Sequence, residues 1–208
     1  MNAPAGWLAS AGGAALAAGL ELDAVQVGQF MVSRPIVVGA LFGLLFADAQ
    51  QGLILGCCCE LLSLASMPLG ASLPLNSTIA TAVAVLMACG PARLPPAAAL
   101  PVGFVAGWVH QQIETALRHG RRALNAAVES SVRERGVVPW RRMTLRNLAQ
   151  QASVNLAVML VWALVAGPAL HKLWPHLPAG FVQALNFAWA QAPWLGLGVA
   201  LYAFGMRP

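Results

Sequence analysis

The chain has 208 residues, of which 59% are hydrophobic and only 9% are charged, and its mean hydropathy is +0.69. This composition excludes an ordinary soluble domain, and the apolar runs are too numerous for one water-facing core, so we expect an integral membrane protein. The net charge of +5 alone would suit nucleic-acid binding, but the basic residues lie between apolar blocks without interleaved aromatics, and we expect no nucleic-acid partner.

The N-terminal region, residues 1–113, is a series of interrupted apolar segments. Its first stretch, "MNAPAGWLASAGGAALAAGL", lacks the basic residues of a signal peptide, so we expect it to stay in the mature protein. Breaks follow at "SRP", "ADAQQG", "MPLGASLPLNS" and "GPARLPP", which leave several pieces shorter than the roughly 20 residues of a straight span. The pattern predicts an all-α, polytopic membrane helical bundle with broken or re-entrant helices, as in transporters.

The middle region, residues 114–147, carries most of the positive charge. Eight of the twelve basic residues fall between Arg118 and Arg146. The positive-inside rule places this segment in the cytoplasm, and its alternation of apolar and basic residues predicts an amphipathic helix along the membrane surface. Anionic lipid headgroups or a cytosolic partner are the expected contacts.

The C-terminal region, residues 148–208, returns to apolar membrane helices, and we treat residues 1–208 as one membrane domain. Trp174, Trp189 and Trp194 are expected anchors at the membrane interface.

Pairs of glycines four residues apart indicate close helix packing. They are Gly39 with Gly43, Gly52 with Gly56, and Gly103 with Gly107. Such pairs let backbones approach where lipid provides no hydrophobic drive for association.

The sequence "GLILGCCCELLSLAS" raises the question of a metal site. Consecutive helix positions point about 100° apart, so Cys57, Cys58 and Cys59 cannot converge on one ion. No CxxC motif or histidine pair completes a ligand set. We therefore expect neither metal nor cofactor, and interpret the cysteines as small packing residues.

Glu60, which follows the cysteines, is an isolated carboxylate in the middle of an apolar segment. Such a group costs roughly 2.5 to 3.5 kcal/mol at bilayer depth and must face a polar interior or a partner. One interpretation is a hydrogen-bonding group in a substrate cavity. The others are a structural carboxylate bonded to the free N–H groups of a broken helix, or a protonated side chain. For Arg34 and Asp48, the neighbouring Pro and Gly favour roles at segment ends or in salt bridges.

The stretch from Val27 to Leu86 resembles a known family. The family is marked by a "GQFM-SRP" segment, a "G-L-GD" turn, an "LE" step and a "P-GA--PPD" loop. The corresponding stretches here, in the same order and spacing, are Gly28–Pro35, Gly43–Asp48, Leu55–Glu60 and Pro68–Asn76. In these features the chain is similar to the membrane IIC subunit of mannose/fructose/sorbose-type sugar phosphotransferase systems (PTS). Beyond Leu86 the resemblance weakens but continues to about Arg207.

The resemblance implies a sugar-binding and translocating permease subunit in the bacterial inner membrane. Its expected partners are a hexose-like sugar, membrane lipid, a IID membrane subunit and cytoplasmic IIA and IIB components that carry the phosphate. We also expect a homo-oligomer of IIC–IID pairs. The chain itself would perform no covalent chemistry, which agrees with the absence of a P-loop or a nucleophile–base pair.

The family motifs also imply substrate-binding residues. Glu60 falls on the "LE" glutamate, Gln29 and Arg34 on the "GQFM-SRP" positions, and Asn76 with Ser77 on the end of the "PPD" loop. A faint internal echo between "MPLGASLPLN" and "LPAGFVQALN" adds Asn186 to the expected site.

Two departures from the family pattern motivate an alternative function. The "PPD" aspartate is replaced by Asn76, a neutral amide that can still bond a hydroxyl but cannot act as a base. The sequence also stops at "FGMRP", whereas members of the family generally continue through further apolar spans. The alternative is therefore a non-transporting regulatory or assembly subunit of such a system. A membrane enzyme with Glu60 as general base is less favoured, because no second catalytic group is suitably spaced.

Overall fold

The computed structural model describes residues 3–64, 73–135, 138 and 140–205, and every regular element among them is helical. The prediction of an all-α chain is therefore confirmed for this part. In chain order the elements are α1 (Ala3–Val25), α2 (Pro35–Leu45), α3 (Ala49–Ser63), α4 (Ser77–Cys89), α5 (Pro96–Arg135), α6 (Trp140–Val161), a π-helical turn (Trp162–Ala166), α7 (Gly167–Leu173), a 3₁₀ turn (Trp174–His176) and α8 (Ala179–Gly205).

Two apolar helices, α2 and α4, are too short to span a bilayer. With 11 and 13 residues they are about 16 and 20 Å long, against a hydrocarbon thickness of about 30 Å. Among the described helices, one continuous stretch, Trp140–His176, has the length and hydropathy of a membrane span. The breaks expected at "SRP" and "GPARLPP" are confirmed, since α2 begins at Pro35 and α5 begins at Pro96.

Glycines form the contact between α2 and α3, which pack as a hairpin. A methyl group on Gly39 would lie 2.5 Å from the carbonyl oxygen of Gly52 and 2.6 Å from Cα of Gly56. One on Gly43 would lie 3.0 Å from Cα of Gly52. The expectation of close packing at these two glycine pairs is confirmed, because no larger residue fits between the backbones.

The centre of the fold is α4, which is buried along almost its whole length. It contacts α1, α2, α3 and α5. The third glycine pair brings α5 against it, since a methyl group on Gly107 would lie 2.6 Å from the carbonyl oxygen of Asn76. This approach places the residue one turn further along α5, His110, next to the start of α4.

Helix α5 has 40 residues and continues through the expected boundary at residues 113 and 114. At about 60 Å it carries the first part of the basic segment as a direct extension of an apolar helix. Helix α6 then crosses the second expected boundary, at residues 147 and 148. Within the described residues, the basic segment therefore comprises the end of α5 and the start of α6.

A π-helical turn joins α6 to α7. The Gly167 N–H donates to the carbonyl oxygen of Trp162, five residues earlier, immediately before Pro168, which has no N–H to continue the regular ladder. Helix α8 packs against α3 and α5 and exposes many large apolar side chains, among them Trp194.

Candidate substrate-binding site

A polar cavity of about 840 Å³ lies where the end of α1, the start of α4, the middle of α5 and α6 meet. Volumes of 300 to 1,000 Å³ are usual for small-molecule sites. Its polar lining consists of Glu21, Gln26, Arg34, Asn76, Ser77, Thr78, Gln111, Glu114, Arg118, Arg121 and Gln151.

Asn76 is the most connected side chain of the cavity wall. As the N-cap of α4, it accepts a hydrogen bond through Oδ1 from the backbone N–H of Ile79, at 2.9 Å. Its Nδ2 donates to Oε1 of Glu21 at 2.6 Å and lies 3.0 Å from Nδ1 of His110. The side chain therefore joins α1, α4 and α5 at one point.

From His110 the network continues into α6. The imidazole is 1% exposed, and its Nε2 lies 3.0 Å from Oδ1 of Asn155. Nε2 of Gln151 donates to that same oxygen at 3.1 Å and to Oε2 of Glu114 at 2.7 Å. Arg121 donates to Oε1 of Gln151, so the network runs from α1 to the basic part of α5.

Three atoms of this network are buried without a hydrogen-bond partner among the described residues. They are Oε2 of Glu21, Nε of Arg121 and Nδ2 of Asn155. Buried polar atoms are usually paired, and Glu21 and Arg121 both line the cavity. Glu21 and Arg121 therefore each have hydrogen-bonding capacity that the described residues do not fully use.

Asp23, two residues after Glu21, has a structural role. Its Oδ1 accepts from the N–H of Phe30 at 2.7 Å, and its Oδ2 accepts from the N–H groups of Val32 at 3.0 Å and Ser33 at 3.4 Å. These bonds hold the loop that contains Gly28 and Gln29 in left-handed conformations, with φ of 80° and 57°. The loop then leads into Arg34 at the cavity.

Glu60 forms a salt bridge with Arg34, whose Nη1 lies 3.2 Å from Oε1 of Glu60. Its other oxygen accepts a long hydrogen bond, 3.4 Å, from the N–H of Ile36 in the first turn of α2. Glu60 thus caps a helix whose own N-cap, Arg34, has no side-chain cap bond. Arg34 lines the cavity, whereas Glu60 lies behind it.

The remaining expected site residues are not brought together. Ser77 lines the cavity beside Asn76, but Gln29 is exposed on the loop and Asn186 is exposed on α8. The two stretches of the internal echo also differ in structure: 73–76 is irregular, whereas 183–186 lies within α8. Residues 67–72 of the first stretch lie outside the described residues.

Sequence reasoning missed Glu21, His110, Glu114, Gln151 and Asn155. One signal was present: Glu21 in "LAAGLELDAV" is a carboxylate at the end of an apolar segment, as Glu60 is within another. Glu114 carried no such signal, because it stands in the amphipathic segment, where solvent exposure is the simpler expectation. His110, Gln151 and Asn155 lie close to the two ends of that segment, where polar residues are also expected to meet solvent.

Among the described residues, no three His, Cys, Asp or Glu side chains are grouped closely enough to hold a metal ion. Cys58, Cys59 and Cys89 are buried and Cys57 is half-buried. The buried cysteines pack in the core between helices. The cavity wall, by contrast, presents amide, carboxylate and guanidinium groups.

The family model described as "PTS system sorbose-specific iic component" matches residues 11–207, nearly the whole chain. The chain belongs to this IIC family. The resemblance found between Val27 and Leu86 is thereby confirmed and extended, and the chain is a membrane component of a PTS. The phosphoryl group is transferred by the IIA and IIB parts of such systems and IIC is a permease component, so the prediction that this chain is not the phosphoryl-transfer enzyme is confirmed.

A solved structure described as "Structure of membrane protein" has the same fold as this IIC chain, with a TM-score of 0.77. The two sequences are 18% identical, and the superposition covers 100% of this chain and 82% of the other. No curated protein sequence matches the IIC chain.

Proposed function

We propose that this IIC component is the sugar-binding and translocating permease subunit of a mannose/sorbose-type PTS, and that a hexose-like sugar occupies the cavity beside Asn76. The observation that carries the proposal is the cavity, whose wall is lined by amide, hydroxyl, carboxylate and guanidinium side chains, among them Asn76, Glu21 and Arg121. Sugar hydroxyls both donate and accept hydrogen bonds, so they suit a wall that offers both functions.

Individual roles follow from position. Asn76, Ser77 and Glu21 contact the sugar, and Arg34 closes the wall opposite them. Glu60 acts through Arg34, which it holds by the 3.2 Å salt bridge. Gln29 and Asn186 are assigned no contact with the sugar.

The surroundings of the chain complete the proposal. It crosses the bacterial inner membrane several times, and its short helix α4 is buried among the neighbouring helices. The exposed apolar side chains of α8 contact lipid or a IID subunit, with which the chain assembles into an oligomer of IIC–IID pairs. The basic junction of α5 and α6 faces the cytoplasm, where IIA and IIB deliver phosphate.

Two serine substitutions test the site. Asn76→Ser keeps a side chain that caps α4 but removes the amide, whereas Asn186→Ser makes the same change on the exposed face of α8. The chain is purified with its IID partner in lipid nanodiscs, and binding of a panel of hexoses and hexitols is measured by calorimetry. We expect Asn76→Ser to weaken binding about tenfold or more and Asn186→Ser to leave it unchanged.

Two outcomes would contradict the proposal. Equal losses in both variants would remove the cavity from sugar recognition. Co-purification with IID but no binding of any sugar by the wild-type protein would favour the regulatory or assembly subunit instead.

A further inference from the structure

The direction of every hydrogen bond around Asn76 is fixed by a backbone group. The N–H of Ile79 can only donate, so the atom of Asn76 that faces it, at 2.9 Å, is the oxygen. The nitrogen, Nδ2, therefore faces both Glu21 and His110 and donates one hydrogen bond to each. Because both protons of the amide are used, Nδ1 of His110 must carry a lone pair and no proton.

The opposite end of the network leads to the same result independently. Arg121 can only donate, so its partner atom on Gln151 is the oxygen. Nε2 of Gln151 then donates to Glu114 and to Asn155, which identifies the Asn155 atom at 3.1 Å as its oxygen. That oxygen lies 3.0 Å from Nε2 of His110 and accepts from it, so the proton of the imidazole is on Nε2.

We infer that His110 is a positioning residue for Asn76. As a neutral imidazole protonated on Nε2, it accepts a hydrogen bond from one N–H of Asn76 and donates one to Asn155 on α6. Its orientation, set by Asn155, thereby fixes the orientation of the Asn76 amide at the cavity wall. Glu21 on α1 accepts a hydrogen bond from the other N–H of the amide. The remaining charged groups near the imidazole are Glu114 and its partners Arg118 and Arg121, all on α5.

This arrangement limits what Asn76 can offer a ligand. Both of its protons are engaged, so a ligand can reach only the second lone pair of Oδ1. On the proposed function, Asn76 therefore favours a sugar hydroxyl that donates, and it disfavours an anion or a ring oxygen.

Two amide substitutions at residue 110 distinguish a role in positioning Asn76 from a role in packing alone. In His110→Asn the carboxamide oxygen can take the place of Nδ1 and accept from Asn76. In His110→Gln the longer side chain reaches the Nε2 position, where it can bond Asn155, but it no longer accepts from Asn76. We expect His110→Asn to keep sugar affinity within about threefold and His110→Gln to lose about tenfold. Equal losses would overturn the positioning role.

A spectroscopic measurement tests the inference without sugar. In the full chain with IID, labelled with ¹⁵N-histidine, the resonance of His110 is the one that disappears in His110→Gln. At about pH 7 we expect Nδ1 to show the shift of an unprotonated ring nitrogen and Nε2 that of a protonated one. A proton on Nδ1 would overturn the inference. The expected tautomer in a protein that binds no sugar would instead count against the proposed function alone.

Discussion

The α2–α3 hairpin and the Glu21–Asn76–His110 cluster each hold a carboxylate in an apolar setting, but the two carboxylates are bonded differently. Glu60 in the hairpin has an opposite charge on one oxygen and a helix N–H on the other. Glu21 has a neutral amide on one oxygen, and its other oxygen has no partner among the described residues. An isolated carboxylate in an apolar sequence is thus an ambiguous signal, because its position in the chain does not show which partners its two oxygens find.

The largest expected effect comes from separating α5 from α4 under the cluster. In Gly107→Ala the added methyl group would lie 2.6 Å from the carbonyl oxygen of Asn76 and 2.9 Å from Cβ of Ala80. Overpacking of this kind costs about 1 to 3 kcal/mol, and the displacement also moves His110 away from Asn76. We expect a lower melting temperature and a loss of sugar affinity of more than about tenfold, measured by thermal unfolding and calorimetry.

Gly120→Ala is the matched control on the same helix, because nothing lies within 4 Å of the added methyl group. It should leave affinity unchanged and raise stability by up to about 1 kcal/mol, since Ala is the better helix former. Similar losses in both variants would mean that the Gly107 contact does not support the cluster.

The second effect is a new pH dependence in Asn76→Asp. A carboxylate at this position would face Oε1 of Glu21 and the bare Nδ1 of His110 without any proton to donate. The variant must bind an extra proton to rebuild the contacts, so its sugar affinity should fall as the pH rises, by about tenfold between pH 5.5 and pH 8. The wild-type amide carries its own protons, so the wild-type affinity should not fall in this way as the pH rises.

Binding titrations at several pH values, with Asn186→Asp as a control, measure this prediction. An Asn76→Asp protein whose affinity follows the same pH profile as the wild type would show that the amide protons are not needed.

The smallest effect is expected in the hairpin, from Glu60→Gln. The side chain of Arg34 is 54% exposed, so loss of the ion pair should cost about 0 to 1 kcal/mol. The amide oxygen of the variant can still accept a hydrogen bond from the N–H of Ile36. Sugar affinity should change by less than about threefold. Glu129→Gln, in the exposed 2.9 Å pair with Arg133, is the matched control. A loss in Glu60→Gln larger than that in Asn76→Ser would place Glu60 in the substrate site.

Much of the local structure could be predicted. The Pro residues of "SRP" and "GPARLPP" mark helix starts because a proline fits the first turn of a helix, where no N–H is required. The glycine pairs predicted close packing for a steric reason that applies in any partner arrangement. The segment-end role expected for Asp48 also holds, since it caps α3 through the N–H of Gln51.

The candidate site was predicted only in part. Asn76, Ser77 and Arg34 line the cavity, and the family motif indicated all three. Glu60 was expected beside Asn76 but pairs with Arg34, and Asn186 was expected from a repeat whose two stretches take different structures. The sequence shows which residues lie near the end of a helix. It does not show which side of that helix will be covered by a helix that comes later in the chain, and so it does not show which partner a polar side chain will meet.

The sequence by itself determined the family through the motifs that it shares with it. It also determined the all-α class, the helix breaks and the close glycine contacts, because these follow from local sterics and hydropathy. Only the tertiary structure decided which polar groups meet. Asn76 and Glu21 are 55 residues apart in the chain, and His110 and Asn155 are 45 apart. Hydrogen-bond direction is a property of the assembled network, because each amide or imidazole takes its orientation from the donor or acceptor that another helix presents.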